Sequence, residues 1–155
     1  MMSTRNRIEV LHGVNLDMLG KRDSSHYGTL TLVELEVRIR HWARALGLET
    51  SFFQTNSEAE YVERLHQAPG LADGLILNPG AWTHYSYAIR DALELAGMLA
   101  IEVHLSDVDA REEWRRVSVI SDLVAGRVSG QGPDGYREAL DLLAGRLGVE
   151  PPAAA

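Results

Sequence analysis

Three stretches of the chain gather side chains that can hold an anion or move a proton. The first runs His12-Gly13-Val14-Asn15 and continues through Lys21-Arg22 to Tyr27-Gly28. The second runs Asn78-Pro79-Gly80-Ala81-Trp82-Thr83-His84, with Arg90 and Asp91 following. The third is Glu102-Val103-His104-Leu105-Ser106, with Arg111 and Arg115 beyond it. Amides such as Asn15 and Asn78 can donate hydrogen bonds to an oxygen that becomes negative during a reaction. Imidazoles such as His84 and His104 can give and take protons near neutrality. Glu102 and His104 are two residues apart, so on a strand they share a face, and a carboxylate there orients the imidazole and raises its basicity. Tyr27 can serve as a base only as phenolate, against an ordinary pKa of about 10. A guanidinium in the same loop, Arg22, favours that ionised form.

Two other patterns compete for attention. His84, Glu102 and His104 are of metal-ligating type, but their spacing matches no compact ligand motif such as H-E-x-x-H. Gly130-Gln131-Gly132-Pro133-Asp134-Gly135 fits G-x-G-x-x-G. It lies at the last predicted strand, with only one helix after it. No second half remains to build a dinucleotide site, so it reads as a tight turn.

The elements that must position these residues alternate between strand and helix patterns. Strands are predicted at residues 8–12, 48–54, 74–78, 99–105 and 124–129. A helix starts at Thr31, where Thr31 and Glu34 have capping-box spacing, and Leu35, Ile39, Trp42 and Leu46 recur on one face until Gly47. Ser57 and Glu60 repeat the capping pattern before a helix with Val62 and Leu65 on its inner face, and Pro69-Gly70 is expected to break the chain. Further helices are predicted over 86–95 and 134–147. Five strands with helical crossovers imply an α/β fold with a parallel sheet. Ligands of such sheets sit beyond the carboxyl ends of the strands, in loops that here start near Gly13, Gln54, Asn78, His104 and Gly130.

Composition narrows the chemistry. The 155 residues fit a single domain with a core over about 7–147 and a flexible tail at 148–155. There is no cysteine, which removes disulfides, thiolate nucleophiles and cysteine-ligated metals. The net charge of −7 argues against general binding to nucleic acid or to an anionic membrane surface. The apolar runs are too short for a membrane helix, and the N-terminus has no signal-peptide core, so a cytoplasmic location is expected. Among the 15 basic residues only Lys21 is a lysine, so imine chemistry has a single candidate.

Four segments in order, LHGVNLDMLGKRDSSHYG, QTNSEAEYVERLHQA, ILNPGAWTHYSYAIRDAL and IEVHLSDVDAREEWRRVSVIS, make the chain resemble the type II 3-dehydroquinate dehydratases over about residues 8–147. The resemblance implies a flavodoxin-like fold, with helices on both faces of a five-stranded parallel sheet. It implies dehydration of 3-dehydroquinate to 3-dehydroshikimate in the shikimate or quinate pathway, through an enolate, with no cofactor, metal or Schiff base. Tyr27 then matches the catalytic base, Arg22 the group that stabilises its phenolate, and Asn15 the residue that helps hold water at the enolate. His104 matches the general acid, with Glu102 as its partner. Asn78, His84, Leu105, Ser106 and Arg115 match substrate contacts. Asp91 matches an aspartate that reaches a neighbouring subunit's site, and the family usually assembles as a dodecamer of trimers.

The chain departs from the family pattern at several positions. Val14 stands in place of proline, Asp17 of asparagine and Trp82 of tyrosine. Tyr85 and Tyr87 replace smaller residues, and Asp107 and Asp109 replace asparagine and histidine. None of these removes a catalytic group. Two other readings stay open on residues alone. One is a flavin or phosphate-binding module, although residues 13–20 contain no serine or threonine for a phosphate loop. The other is a metal-dependent hydrolase built on His84, Glu102 and His104.

Overall fold

The computed structural model describes residues 4–21, 25 and 29–153. Five parallel strands form one sheet: β1 (Arg7–His12), β2 (Glu49–Gln54), β3 (Gly74–Asn78), β4 (Ala100–His104) and β5 (Gly126–Ser129). Their order is β2-β1-β3-β4-β5. All four neighbouring pairs are parallel. The chain therefore leaves β1 toward one edge, returns, and builds the other half outward from β3. The reversal lies between β1 and β3, where ligands of doubly wound sheets bind.

The crossovers described are α1 (Leu32–Ala45), α2 (Glu58–Leu71) and α3 (Tyr87–Ala96), and α4 (Asp134–Leu147) closes the fold. Alternation along β1 sends Ile8 and Val10 to one face, where they pack with Leu35 and Ile39 of α1 and Leu140 and Leu143 of α4. Leu11, Leu75 and Leu77 face the other side, against Tyr61 and Leu65 of α2 and Ile89 and Leu93 of α3. Both faces of the sheet are thus covered, which is why β3 and β4 are buried along their whole length.

The start of α1 is the expected capping box. Thr31 Oγ1 accepts from the Glu34 N–H at 3.2 Å, and the Glu34 carboxylate accepts from the Thr31 N–H at 3.4 Å. At α2 the pattern is only half used. Ser57 Oγ caps Glu60 N–H at 3.3 Å, but the Glu60 carboxylate accepts from Thr55 Oγ1 instead.

Pro69 does not break α2. It lies inside the last turn, and the helix runs on to Leu71. So close to the end, a proline costs one backbone hydrogen bond and has little helix left to kink. The inner face of α2 is Tyr61, Leu65 and Ala68, with Val62 only partly buried at its margin. Beyond β4 the charged segment forms two 3₁₀ turns, Val108–Ala110 and Glu113–Arg116. After α4, Val149 packs against the core, and the Glu150 carbonyl lies over Gly47.

Candidate active site

The carboxyl ends of β1, β3 and β4 open into one cleft of about 110 Å³. Val14, Asn15 and Leu16 line it from the first loop, and Asn78, Gly80, Ala81 and His84 from the second. His104, Leu105, Ser106, Val108, Arg111 and Arg115 line it from the third. Seven expected site residues thus meet here: Asn15, Asn78, His84, His104, Leu105, Ser106 and Arg115. Glu102 stands behind His104. Asp91 does not line the cleft; it is exposed on α3. Arg22 and Tyr27 lie outside the described residues.

Close backbone contact holds the first two loops together. The Gly13 N–H donates to the Asn78 carbonyl at 2.8 Å. A Cβ on Gly13 would sit 2.2 Å from the Pro79 carbonyl oxygen, and one on Gly80 would sit 2.5 Å from that of Val14. Only glycine allows this approach, and Gly80 also has φ +68°. Asn15 itself adopts φ 68°, a left-handed conformation that asparagine tolerates better than most residues.

The loop after β2 fixes Asn15 from outside. Asn56 Oδ1 accepts from the Asn15 N–H at 2.9 Å, and Asn56 Nδ2 donates to Asp17 at 3.2 Å. Gln54 Nε2 donates to the Gly13 carbonyl at 3.2 Å. Gln54 and Asn56 were legible only as motif letters. Their bracing role needs the β1–β2 register, which pairs His12 with Gln54.

The Glu102–His104 pair forms as expected from their common strand face. His104 Nε2 lies 2.5 Å from Glu102 Oε2. A carboxylate only accepts, so Nε2 carries the hydrogen and Nδ1 remains for other partners. Glu102 is fully buried. Burial pushes its carboxyl pKa up, but His104, the Ser118 hydroxyl and the Arg127 guanidinium together outweigh this and hold it below the ordinary value. Ser118 Oγ donates at 2.8 Å and Arg127 Nε at 3.1 Å. Sequence reading missed Ser118 and Arg127, because nothing local links residues 16 and 25 positions downstream to this carboxylate.

His84 lies beside this pair, its ring stacked on that of His104 with centroids 6.3 Å apart. The Val117 carbonyl takes the His84 Nδ1 hydrogen at 2.7 Å, leaving Nε2 as an acceptor while the ring is neutral. Burial lowers the His84 pKa, with the Val117 carbonyl working against the shift. The Leu105 and Ser106 carbonyls accept from the Gly132 and Gly130 N–H groups at 3.0 and 3.1 Å. The glycine-rich turn therefore braces the peptides after His104.

Arg111 and Arg115 add cationic lining within a chain that is acidic overall. Arg111 Nη1 donates to Ser106 Oγ at 3.3 Å, and Arg115 stacks over Trp114 and pairs with Glu112. Among the described residues, no three His, Cys, Asp or Glu side chains form a group able to hold a metal ion. No helix of the described residues is long and apolar enough to cross a membrane.

The family described as Dehydroquinase class II matches residues 6–144. A 3-dehydroquinate dehydratase of Syntrophotalea carbinolica is 48% identical over 145 residues, covering 93% of this chain and 98% of the relative. One from Pelobacter propionicus is 52% identical over 136 residues, covering 86% and 91%. The crystal structure of a type II dehydroquinase from Propionibacterium acnes superposes with a TM-score of 0.85 at 43% identity, covering 93% of this chain and 98% of that one. Family match, relatives and fold converge with the cleft at the β1/β3 reversal: this chain belongs to the class II dehydroquinases.

Proposed function

We propose that the cleft carries out the family's reaction, the dehydration of 3-dehydroquinate to 3-dehydroshikimate, through an enolate. The chain is a hydro-lyase. In the route proposed, the Tyr27 phenolate, favoured by Arg22, takes a proton from the carbon beside the ketone. The C–H electrons move onto the carbonyl oxygen, and Asn15 with a held water hydrogen-bonds to the enolate that results. The enolate then re-forms the ketone and a new C=C bond. The hydroxyl on the next carbon departs as water with a proton from His104. Because Nε2 keeps its hydrogen toward Glu102, the acid in this route is the imidazolium, which gives up its Nδ1 hydrogen. The Leu105 and Ser106 N–H groups and the Asn78 amide receive the substrate carboxylate, while His84, Arg111 and Arg115 complete the polar lining.

The observation that carries this reading is the meeting of Asn15, Asn78 and His104 in one cleft from three separate strand ends, with the buried Glu102 behind His104. Neither cofactor nor metal enters the route. We also read a cytoplasmic single-domain enzyme that assembles into a dodecamer of trimers. An exposed Asp91 outside its own cleft is suited to reach a neighbour's site.

The test is an ultraviolet assay for the conjugated enone formed from 3-dehydroquinate, with and without chelator. Turnover is expected in both. Tyr27→Phe should abolish it while binding persists, and a near-wild-type rate would remove Tyr27 as the base. Borohydride with substrate should not inactivate the enzyme; covalent trapping on Lys21 would replace the enolate route with an imine.

A further inference from the structure

We infer that His12 and Tyr136 are positioning residues that set the orientation of the Asn78 amide and through it the affinity for substrate. The inference rests on the reading of Asn78 as a carboxylate contact. His12 and Asn78 are register partners on β1 and β3, so their side chains emerge side by side on one face of the sheet. Tyr136, in the first turn of α4, packs over both. His12, Asn78 and Tyr136 are all buried.

Donor chemistry fixes the Asn78 amide. The Gly80 N–H is a donor only, and it meets Asn78 Oδ1 at 3.3 Å. The amide nitrogen of Asn78 must then face Tyr136, and Nδ2 donates to Tyr136 Oη at 3.0 Å. In the arrangement we infer, the phenolic hydrogen turns the other way, to His12 Nε2 at 2.8 Å, and His12 is neutral with its hydrogen on Nδ1. Burial agrees, lowering the His12 pKa to about 4 and raising that of Tyr136. Hydrogen bonds run one way, from Asn78 through Tyr136 to His12, and each polarises the next.

The chain of bonds has a consequence in the cleft. Asn78 Nδ2 carries two hydrogens; one is committed to Tyr136 and the other remains for a ligand. Without an acceptor at His12, the Tyr136 hydroxyl could turn its hydrogen toward Asn78 and favour the flipped amide. That flip would present an oxygen to an anionic substrate. The acceptor at position 12 removes this alternative without touching the reacting atoms.

Steady-state kinetics of four variants test the assignment. Tyr136→Phe and His12→Leu should each raise KM about tenfold, with kcat within about threefold of wild type. His12→Gln keeps an acceptor for the phenol and should restore a near-wild-type KM. The double variant Tyr136→Phe/His12→Leu should be no worse than either single one, because both cut the same chain. Asn78→Ala separates the two layers of the argument. If it leaves KM unchanged, the substrate-contact reading fails and the inference falls with it. If Asn78→Ala raises KM but folded Tyr136→Phe and His12→Leu do not, the contact stands and the positioning role is refuted. Should those variants not fold, ¹⁵N-histidine NMR of the wild-type protein decides. A hydrogen on Nδ1 of His12 with Nε2 bare is expected, and a protonated Nε2 overturns the inference.

Discussion

Glu102→Gln isolates what the buried charge does for His104. The two carboxylate oxygens accept from His104 at 2.5 Å, Arg127 at 3.1 Å and Ser118 at 2.8 Å. Glutamine has the same shape and keeps one acceptor oxygen, which can serve His104 and Arg127. Its amide nitrogen then meets Ser118 Oγ, a hydroxyl that can rotate to accept. Packing survives and the charge is lost. Unit charges about 4 Å apart attract by about 4 kcal/mol at an effective dielectric of about 20. Desolvation reduces the net value of a hydrogen bond to a charged partner to about 1.5–3 kcal/mol. About 2 kcal/mol missing when His104 acts corresponds to roughly a thirtyfold fall in kcat. KM should stay within about threefold, because Glu102 stands behind His104 and does not line the cleft. The ultraviolet assay at saturating substrate measures both constants, alongside a thermal melt. A Glu102→Gln protein with wild-type Tm and kcat within about threefold of wild type would refute the role given to the carboxylate.

Gly13→Ala should destabilise the fold by about 2 kcal/mol or more and depress activity, since the added carbon meets the Pro79 carbonyl, which cannot yield as a flexible side chain would; unchanged urea denaturation would contradict that packing. Acid should weaken the protein before its carboxylates titrate. Unfolded His12 takes a proton below about pH 6.5 that the folded protein declines until about pH 4, so stability falls as pH drops through that window, by about 3 kcal/mol over its full width. Urea midpoints at pH 7 and 4.5 measure the loss, and His12→Gln should flatten it. The Glu102 contribution has the same sign at lower pH: it is present above the ordinary carboxyl value and is lost as pH falls through the depressed one. Mixing Asp91→Ala with Tyr27→Phe should regain activity after subunit exchange if Asp91 serves a neighbour's site, and no recovery despite exchange would assign Asp91 to its own chain.

The sheet was legible because β3 is an apolar run entered from a glycine, the other strands are short β-patterned runs between polar loops, and helical periodicity filled the gaps. The capping signal at Thr31 marked the N-cap of α1, although the helix ends at Ala45, short of Gly47. Pro69 misled because proline stops a helix only where enough helix remains to kink. At the site, Glu102 and His104 could be paired from spacing alone, since alternation on a strand is a local rule. Ser118, Arg127, Asn56 and Tyr136 could not, because each reaches its partner through register or helix docking. The same limit held for His12, which reads as a loop-edge histidine until α4 is laid across it.

Arg127 belongs to β5, the strand that completes the sheet at its far edge. A nascent polypeptide that has emerged only as far as β4 therefore holds Glu102 and His104 without the guanidinium that helps offset the burial of that carboxylate. The Glu102 carboxylate gains its last hydrogen-bond donor only after residue 127 joins the sheet. A message truncated before β5 would encode the Glu102–His104 pair but leave the buried carboxylate without its Arg127 partner.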